Sequence, residues 1–228
     1  LNETREKTSV AIIARNEEKT IGKVIEAVGP YADEVIVVDG NSSDRTREVA
    51  EGLGVRVTRD QGGGKGDGIR EGIAASTGDV IVFIDADGSH EAGDIPAMVE
   101  PILRGEADLV VGSRWTGGSD ELGGDVGMFI RSTGSSFITL LINYRWGVRL
   151  TDVENGFRAI SRRAARAIDL QEKGFTIEQE MVMKCLKAGF TVREVPTHEY
   201  RRQGGRSDLA VWKVLHRFAW NLVKNLIR

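Results

Sequence analysis

Val80-Ile81-Val82-Phe83-Ile84-Asp85-Ala86-Asp87 is an unbroken run of large apolar residues that ends directly in two carboxylates one residue apart. A strand exposed on one face alternates apolar and polar residues. A strand covered by helices on both faces reads as a continuous Val/Ile run. The stretch therefore predicts a buried strand over Asp79–Asp85, and the segments around it repeat the pattern. Upstream, Ser9–Ala14 and Glu34–Asp39 read as two more buried strands. Between them Glu17–Val28 carries Ile21, Val24, Ile25 and Val28 at helical spacing. Asp39 runs into Gly-Asn-Ser-Ser-Asp, where Ser43 or Asp44 can cap a helix over Arg45–Leu53. Val55–Thr58 is a short strand, and the glycine-rich turn Gly62–Gly68 leads into a helix near Ile69–Ala75. Downstream, a helix over Gly93–Leu103 and a strand over Asp108–Ser113 close the series. The alternation predicts an α/β fold with a mostly parallel central sheet flanked by helices.

Beyond Ser113 the alternation weakens into a mixed α+β half. Trp115–Gly127 is polar, rich in glycine and long for a structureless connector, which marks it as a candidate lid. Phe129–Trp146 and Glu178–Ala188 read as helices, Gly156–Ile160 as a strand, and Thr191–Val195 with His198–Arg201 as short extended segments. With 228 residues the chain is long enough to bury a large core. Lys+Arg 31 against Asp+Glu 34 gives a net charge of -3, so bulk attraction to nucleic acid is not indicated. Cys185, the single cysteine, lies in a helical pattern beside Met183 and Leu186 and reads as a small buried hydrophobe, which excludes a disulfide scaffold. The first residues are too polar for a signal peptide, and no apolar run approaches the roughly 20 residues of a spanning helix. The chain reads as soluble or membrane-peripheral.

In open parallel sheets, ligands lie beyond the carboxyl ends of the strands. There the sequence places Arg15, Asn16 and Glu17, then Asp39, Asn41 and Ser42, then Asp85 and Asp87, then Ser113 and Arg114. Asp44 and Asp94 read as helix caps. The Asp85/Asp87 pair needs a cation, basic groups or water to screen it. Carboxylates suit Mg²⁺ or Mn²⁺, and Mg²⁺ takes one or two of them while phosphates and waters fill the remaining positions. The Gly62–Gly68 loop fits neither a P-loop, because Gly66 follows Lys65, nor a dinucleotide fingerprint. It remains a glycine-rich approach to a helix N-terminus, suited to phosphate or ribose. Arg114, Arg131, Arg202 and Arg206 are placed to face an anion. His90 and His198 lack metal-ligand spacing and read as surface or hydrogen-bonded histidines.

These features together resemble glycosyltransferase family 2, with the GT-A nucleotide-sugar fold, and within it the dolichol-phosphate mannose synthase-like polyprenyl-phosphate glycosyltransferases. The carriers are Ala14-Arg15-Asn16-Glu17-Glu18, Val38-Asp39 followed by Asn-Ser-Ser-Asp-Arg-Thr, Asp85-Ala-Asp87-Gly-Ser-His90, Gly112-Ser-Arg114, Asp152-Val-Glu-Asn-Gly-Phe-Arg158, Phe175–Glu180 and Gly205-Arg-Ser207. The resemblance implies a single GT-A domain over 1–228. Residues 1–113 would be the nucleotide-sugar half, 114–207 the acceptor half and 208–228 an amphipathic helix. It further implies that Ala14, Arg15, Glu17 and Asp39 meet the nucleoside, with Lys65 and Asp67 near the base or ribose. Asp85 and Asp87 would hold Mg²⁺ or Mn²⁺ on the diphosphate, and Arg114, Arg131, Arg202 and Arg206 would form an anion clamp. The family's usual proline, second aspartate and glutamine are here Ala14, Gly40 and Ser89. Gln203-Gly-Gly-Arg206 is followed by Ser207 rather than Trp, which argues against polymer synthesis.

The reaction so implied is metal-dependent, inverting transfer of a hexose from a nucleotide-diphospho-sugar, of the GDP-mannose or UDP-glucose type, to a polyprenyl (dolichyl) phosphate. Transfer to a soluble hydroxyl acceptor and non-catalytic donor binding are the alternatives. A hydroxyl acceptor needs a general base, for which Glu178 or Glu180 is the candidate; a lipid phosphate needs none. Val211, Val214, Leu215, Phe218, Leu222, Val223 and Leu226 form an apolar stripe with Lys213, Arg217, Lys224 and Arg228 around it. That pattern suits either peripheral contact with the cytoplasmic face of a membrane or an ordinary helix packed on the domain.

Overall fold

The computed structural model describes residues 5–120, 126–202 and 211–227, of which 126–135, 211–216 and 226–227 are described by backbone alone. Strand β1 (Thr8–Ala14) is followed by helix α1 (Ile21–Val28), β2 (Glu34–Asp39), α2 (Thr46–Gly52), β3 (Arg56–Arg59), α3 (Lys65–Ala75), β4 (Val80–Asp85), α4 (Ile95–Leu103) and β5 (Leu109–Ser113). A short turn of helix, α5 (Arg114–Gly117), leads toward α6 (Val126–Trp146), then β6 (Arg158–Ser161), α7 (Arg162–Ala167), α8 (Ile177–Lys187), β7 (Val192–Pro196) and α9 (Val211–Ile227). The strands join in one sheet of order β3-β2-β1-β4-β6-β5-β7. All neighbours are parallel except β6, which runs antiparallel to both β4 and β5.

Period-two alternation divides the strands between two cores. In β1 and β4, Val10, Ile12, Val80, Val82 and Ile84 face α1, α2 and α4. Ala11, Ile81 and Phe83 face Ile69 of α3, Ile138 and Ile142 of α6, α8 and α9. Each of the Val, Ile and Phe side chains among these, once fully buried, contributes about 1.5–3 kcal/mol. Cys185 is wholly buried here, and burial pushes its thiol up to about 12, as befits a packing residue.

Two element boundaries and one additional helix differ from expectation for identifiable reasons. The first helix begins at Ile21, not Glu17, because the amides of Glu17 and Glu18 bond to Thr46 Oγ1 (2.7 Å) and Asp44 Oδ2 (3.2 Å) instead of opening a helix. The third begins at Lys65, four residues early, because Gly66 lets the chain at Glu172–Lys173 lie against it. A Cβ there would stand 2.0 Å from the Glu172 carbonyl oxygen, while the Gly66 amide donates to the Lys173 carbonyl at 2.8 Å. Helix α7 was not anticipated; the Ser161 hydroxyl, accepting from the Ala164 amide at 3.1 Å, is its N-cap. The candidate lid over Trp115–Gly127 is ordered at both ends, by α5 and by α6; Ser119 bridges to Glu199, and residues 121–125 lie outside the described set.

Candidate active site

Register aligns the ends of the strands. Ala14 pairs with Asp39, Asp39 with Arg59, and Ile13 with Asp85, so three acid-bearing loops open on one edge. The β1–α1 and β2–α2 loops are stitched together there. Asn16 and Asn41 both sit at φ 57, the left-handed region that Asn tolerates. The Asn16 amide donates to Ser42 Oγ (2.9 Å), the Ser43 amide to Asn16 Oδ1 (2.8 Å), and the Ser42 amide to Asp39 Oδ1 (3.2 Å). Asp39 is buried, and the Ala14 carbonyl accepts from the Gly40 amide at 2.8 Å; Arg15 is exposed. Partial burial raises Glu17 from its ordinary value against the Thr20 hydroxyl that lowers it, and the charge of Asp87 adds to the rise. Asp60, which sequence reading passed over, closes this cluster: its carboxylate accepts from the Gly62 amide at 2.7 Å, and burial raises it, with Asp67 and Asp39 adding to the effect. Asp67 itself caps the glycine turn, accepting from the Gly63 amide at 2.6 Å and pairing with Arg70.

At the end of β4 the two acids are screened differently. Lys65 Nζ lies 2.8 and 2.9 Å from the two oxygens of Asp85 and 2.9 Å from Glu178 Oε1, which makes a triad beneath the Phe175 ring in which Glu178 is buried and Lys65 and Asp85 are partly so. Burial alone would raise Asp85, but Lys65 and then His90 hold it well below the carboxylate range. His90 Nε2 is 3.9 Å from Asp85, and its ring packs on Phe157 at 5.3 Å. Asp87 Oδ1 accepts from the Ser89 hydroxyl (2.7 Å) and amide (3.0 Å), and Oδ2 faces Arg202 Nε at 3.3 Å. Basic groups thus screen the pair in part. Four acids, Glu17, Asp85, Asp87 and Glu178, still face Lys65 and Arg202 among the described residues.

That residual negative charge, together with hard carboxylate oxygens, suits a divalent cation. Among the described residues no three His, Cys, Asp or Glu side chains converge as a closed cage. The composition fits Mg²⁺ or Mn²⁺ held by one carboxylate plus phosphate and water; Asp87 is the more buried of the two acids, but it is the one without a lysine ammonium on it, since both oxygens of Asp85 are engaged by Lys65.

Because β6 runs against its neighbours, its entry, not its exit, meets the carboxyl ends of β4 and β5. The loop 152–157 therefore joins the site. Gly156 lies so close that a Cβ would stand 2.6 Å from Asp85 Oδ2 and 2.7 Å from Lys65 Nζ. Gly156→Ala is expected to push these groups apart and lower stability by about 1–3 kcal/mol, the usual cost of overpacking. Thermal unfolding monitored by circular dichroism reads this, and an unchanged midpoint would contradict the close approach. Arg158, fully buried, donates to the carbonyls of Asn155 (Nε, 3.0 Å), Glu178 (Nη1, 2.8 Å) and Val153 (Nη2, 3.4 Å). Desolvation lowers its affinity for the proton. It fastens this loop to the first turn of α8 and so positions Glu178.

The remaining sequence candidates separate. Arg114 forms a two-pronged pair with the buried Asp152, Nε to Oδ2 2.6 Å and Nη2 to Oδ1 3.0 Å, and also lies 3.5 Å from Glu199. Its charge is committed to carboxylates, against the open clamp expected. Arg202 does reach Asp87. Arg131 lies on α6 where only the backbone is described, and Arg206 lies outside the described residues. Glu180 is buried, accepts from the amides of Gln171 (2.9 Å) and Glu172 (2.8 Å), and lies 2.9 Å from Lys184. That arrangement holds a loop, leaving Glu178 as the glutamate at the strand ends. His198 pairs with Asp120 at 3.0 Å, as a hydrogen-bonded histidine. In α9, Phe218 and Leu222 of the predicted stripe enter the core, so the packing reading accounts for that part of it.

The open sheet, with a polar edge at the β1/β4 switch point, is that of a GT-A glycosyltransferase. A solved structure of glucosyl-3-phosphoglycerate synthase from Mycobacterium tuberculosis, in complex with Mn²⁺, UDP and glucosyl-3-phosphoglycerate, superposes with a TM-score of 0.77 at 25% identity, covering 97% of this chain and 80% of that one. The family model described as Glycosyl transferase family 2 matches residues 9–169, and the chain belongs to that family. Glycosyltransferase AglJ of Haloferax volcanii is 35% identical over 83% of this chain, which spans 62% of AglJ's length. An undecaprenyl-phosphate mannosyltransferase of Micrococcus luteus is 32% identical over 84% of this chain and 81% of its own.

Proposed function

We propose that the chain is a divalent-metal-dependent, inverting hexosyltransferase that uses a nucleotide-diphospho-sugar and delivers the sugar to a polyprenyl phosphate at the cytoplasmic membrane face. The observation that carries the acceptor choice is the state of Glu178. The glutamate at the strand ends is bound to Lys65 at 2.9 Å, poorly disposed to take a proton. A phosphate oxygen needs no base. The likeness to the undecaprenyl-phosphate mannosyltransferase supports the same reading.

In this reading residues 1–113 take the donor, with Ala14, Arg15, Glu17, Asp39, Lys65 and Asp67 around the nucleoside, and residues 114–207 form the acceptor half. Asp87, with Asp85 behind it, would hold the metal, which when bound lowers the charge on the leaving diphosphate. Arg202, with Arg131 and Arg206, would add positive charge around the same group, and Arg114 would position the Asp152 loop. The acceptor oxygen attacks the anomeric carbon in line, the bond from that carbon to the diphosphate oxygen breaks with its electron pair, and the configuration inverts. Positioning and electrostatic stabilisation supply the rate.

The test is incubation with a panel of UDP- and GDP-sugars, Mg²⁺ or Mn²⁺, and either polyprenyl phosphate or soluble acceptors. Glycosylated polyprenyl phosphate is expected; product on soluble acceptors alone would refute the acceptor. A second reading, a soluble phosphorylated hydroxyl acceptor, is favoured by the structural likeness to glucosyl-3-phosphoglycerate synthase. Glu178→Gln separates the two. Transfer to polyprenyl phosphate is expected to fall less than about tenfold, whereas loss of a general base costs about 10²–10⁴-fold.

A further inference from the structure

The outward side of α6 carries large apolar side chains with no cover: Phe137 is 60% exposed, Leu140 61% and Tyr144 90%. Their spacing sets them along one side of the helix, while Ile138 and Ile142 turn into the core. Helix α6 packs against α9, where Trp220 is 68% exposed and Val223 stands beside it, one turn along. Exposed apolar faces of this kind mark interaction sites.

Charge selects the occupant. The chain carries more acid than base overall, 34 against 31. Yet α6 contains Arg131 and Arg145, and α9 contains Lys213 and Arg217 besides Lys224, which turns to Glu172, with no aspartate or glutamate in either helix; Arg145, Arg149 after α6, and Arg217 are exposed. Aromatic side chains among basic residues match the interface of an anionic bilayer. A second copy of the chain, meeting this face about a two-fold axis, would set the same positive charge against itself. We infer that the outward side of α6 and α9 docks on a bilayer containing anionic lipid. The inference rests on the lipid-phosphate reading above and assigns its surface. That surface is tied to the site: Asn221 Nδ2 donates to the Thr176 carbonyl (3.0 Å) just before Glu178, and Lys224 lies 3.5 Å from Glu172, the residue packed on Gly66.

Co-sedimentation with vesicles of phosphatidylcholine, alone or mixed with phosphatidylglycerol, tests this. The protein is expected to sediment with the mixed vesicles and to be released by high salt. The combined variant Phe137→Ser, Leu140→Ser, Tyr144→Ser should keep its thermal transition and bind about tenfold less. Arg145→Glu with Arg217→Glu should lose binding by about tenfold or more. Docking is overturned if the wild type stays in the supernatant with both vesicles or if the serine variant sediments like the wild type. It is equally overturned if gel filtration shows a wild-type dimer that the serine variant converts to monomer. Transfer to a water-soluble short-chain prenyl phosphate, measured without vesicles, is expected to survive in the serine variant. If no protein makes that product while docking and its loss are both seen, the acceptor reading fails and the surface stands.

Discussion

Asp87→Ala is expected to lower sugar transfer by about 10²–10³-fold, the loss that follows removal of one preorganised electrostatic contact to a developing charge, while leaving the fold intact. Asp87 is buried, but its bonds are confined to Ser89 in its own turn and to Arg202, which is partly exposed, so its removal disturbs one turn at the sheet edge. Leaving the Ser89 amide and hydroxyl without this acceptor costs about 1–3 kcal/mol, which a domain of this size tolerates. Donor turnover with Mn²⁺, beside thermal unfolding monitored by circular dichroism, checks both halves of the expectation. Near-normal turnover would remove the metal-ligand assignment, and so would wild-type Mn²⁺ affinity in the variant.

Lys65→Met should act on stability first. It leaves Asp85 and Glu178 close together without the ammonium that separates their charges. Removing one partner of a buried ion pair costs about 3–5 kcal/mol. For a chain of this size each kcal/mol shifts the midpoint by about 2–4 °C, so a fall of at least about 6 °C at pH 7 is expected. The pH dependence has a definite sign. Burial opposes the Lys65 charge, but Asp85 and Glu178 outweigh it and hold the lysine above its ordinary value. Its contribution is therefore full below about pH 10 and declines only as pH rises further. Asp85 is held low, so its contribution is full above about pH 5 and is lost as pH falls toward its folded value. The difference between wild type and variant should be level from about pH 5 to 10 and shrink in acid. A midpoint change below about 2 °C at pH 7 would show that the triad does not stabilise the fold.

The strands were legible because β1, β2, β4 and β5 are buried on both faces, and that burial writes itself as uninterrupted Val/Ile runs. The acids closing them were legible for the same reason, since Asp39 and Asp85 stand where an apolar run stops. Helix starts were less so. Where α1 and α3 begin depends on partners far along the chain, Thr46 and Asp44 for the first and Lys173 for the second. Local propensity contains no trace of them. Asp60 could have been found by applying the strand-end rule to β3, whose few half-buried residues made it the weakest of the strand signals.

The sequence by itself determined the two-faced α/β sheet, the edge on which its polar loops gather, and the acids that close β2 and β4, because periodicity and strand ends are local properties. Only the tertiary structure decided which charges meet. The antiparallel course of β6 brings Gly156 and Arg158 to Asp85 and Glu178, Lys65 neutralises the first of the paired acids, and Asp152 takes the charge of Arg114. Ion pairs form between groups that the fold brings within a few ångströms, and the residues joined here lie tens of positions apart along the chain.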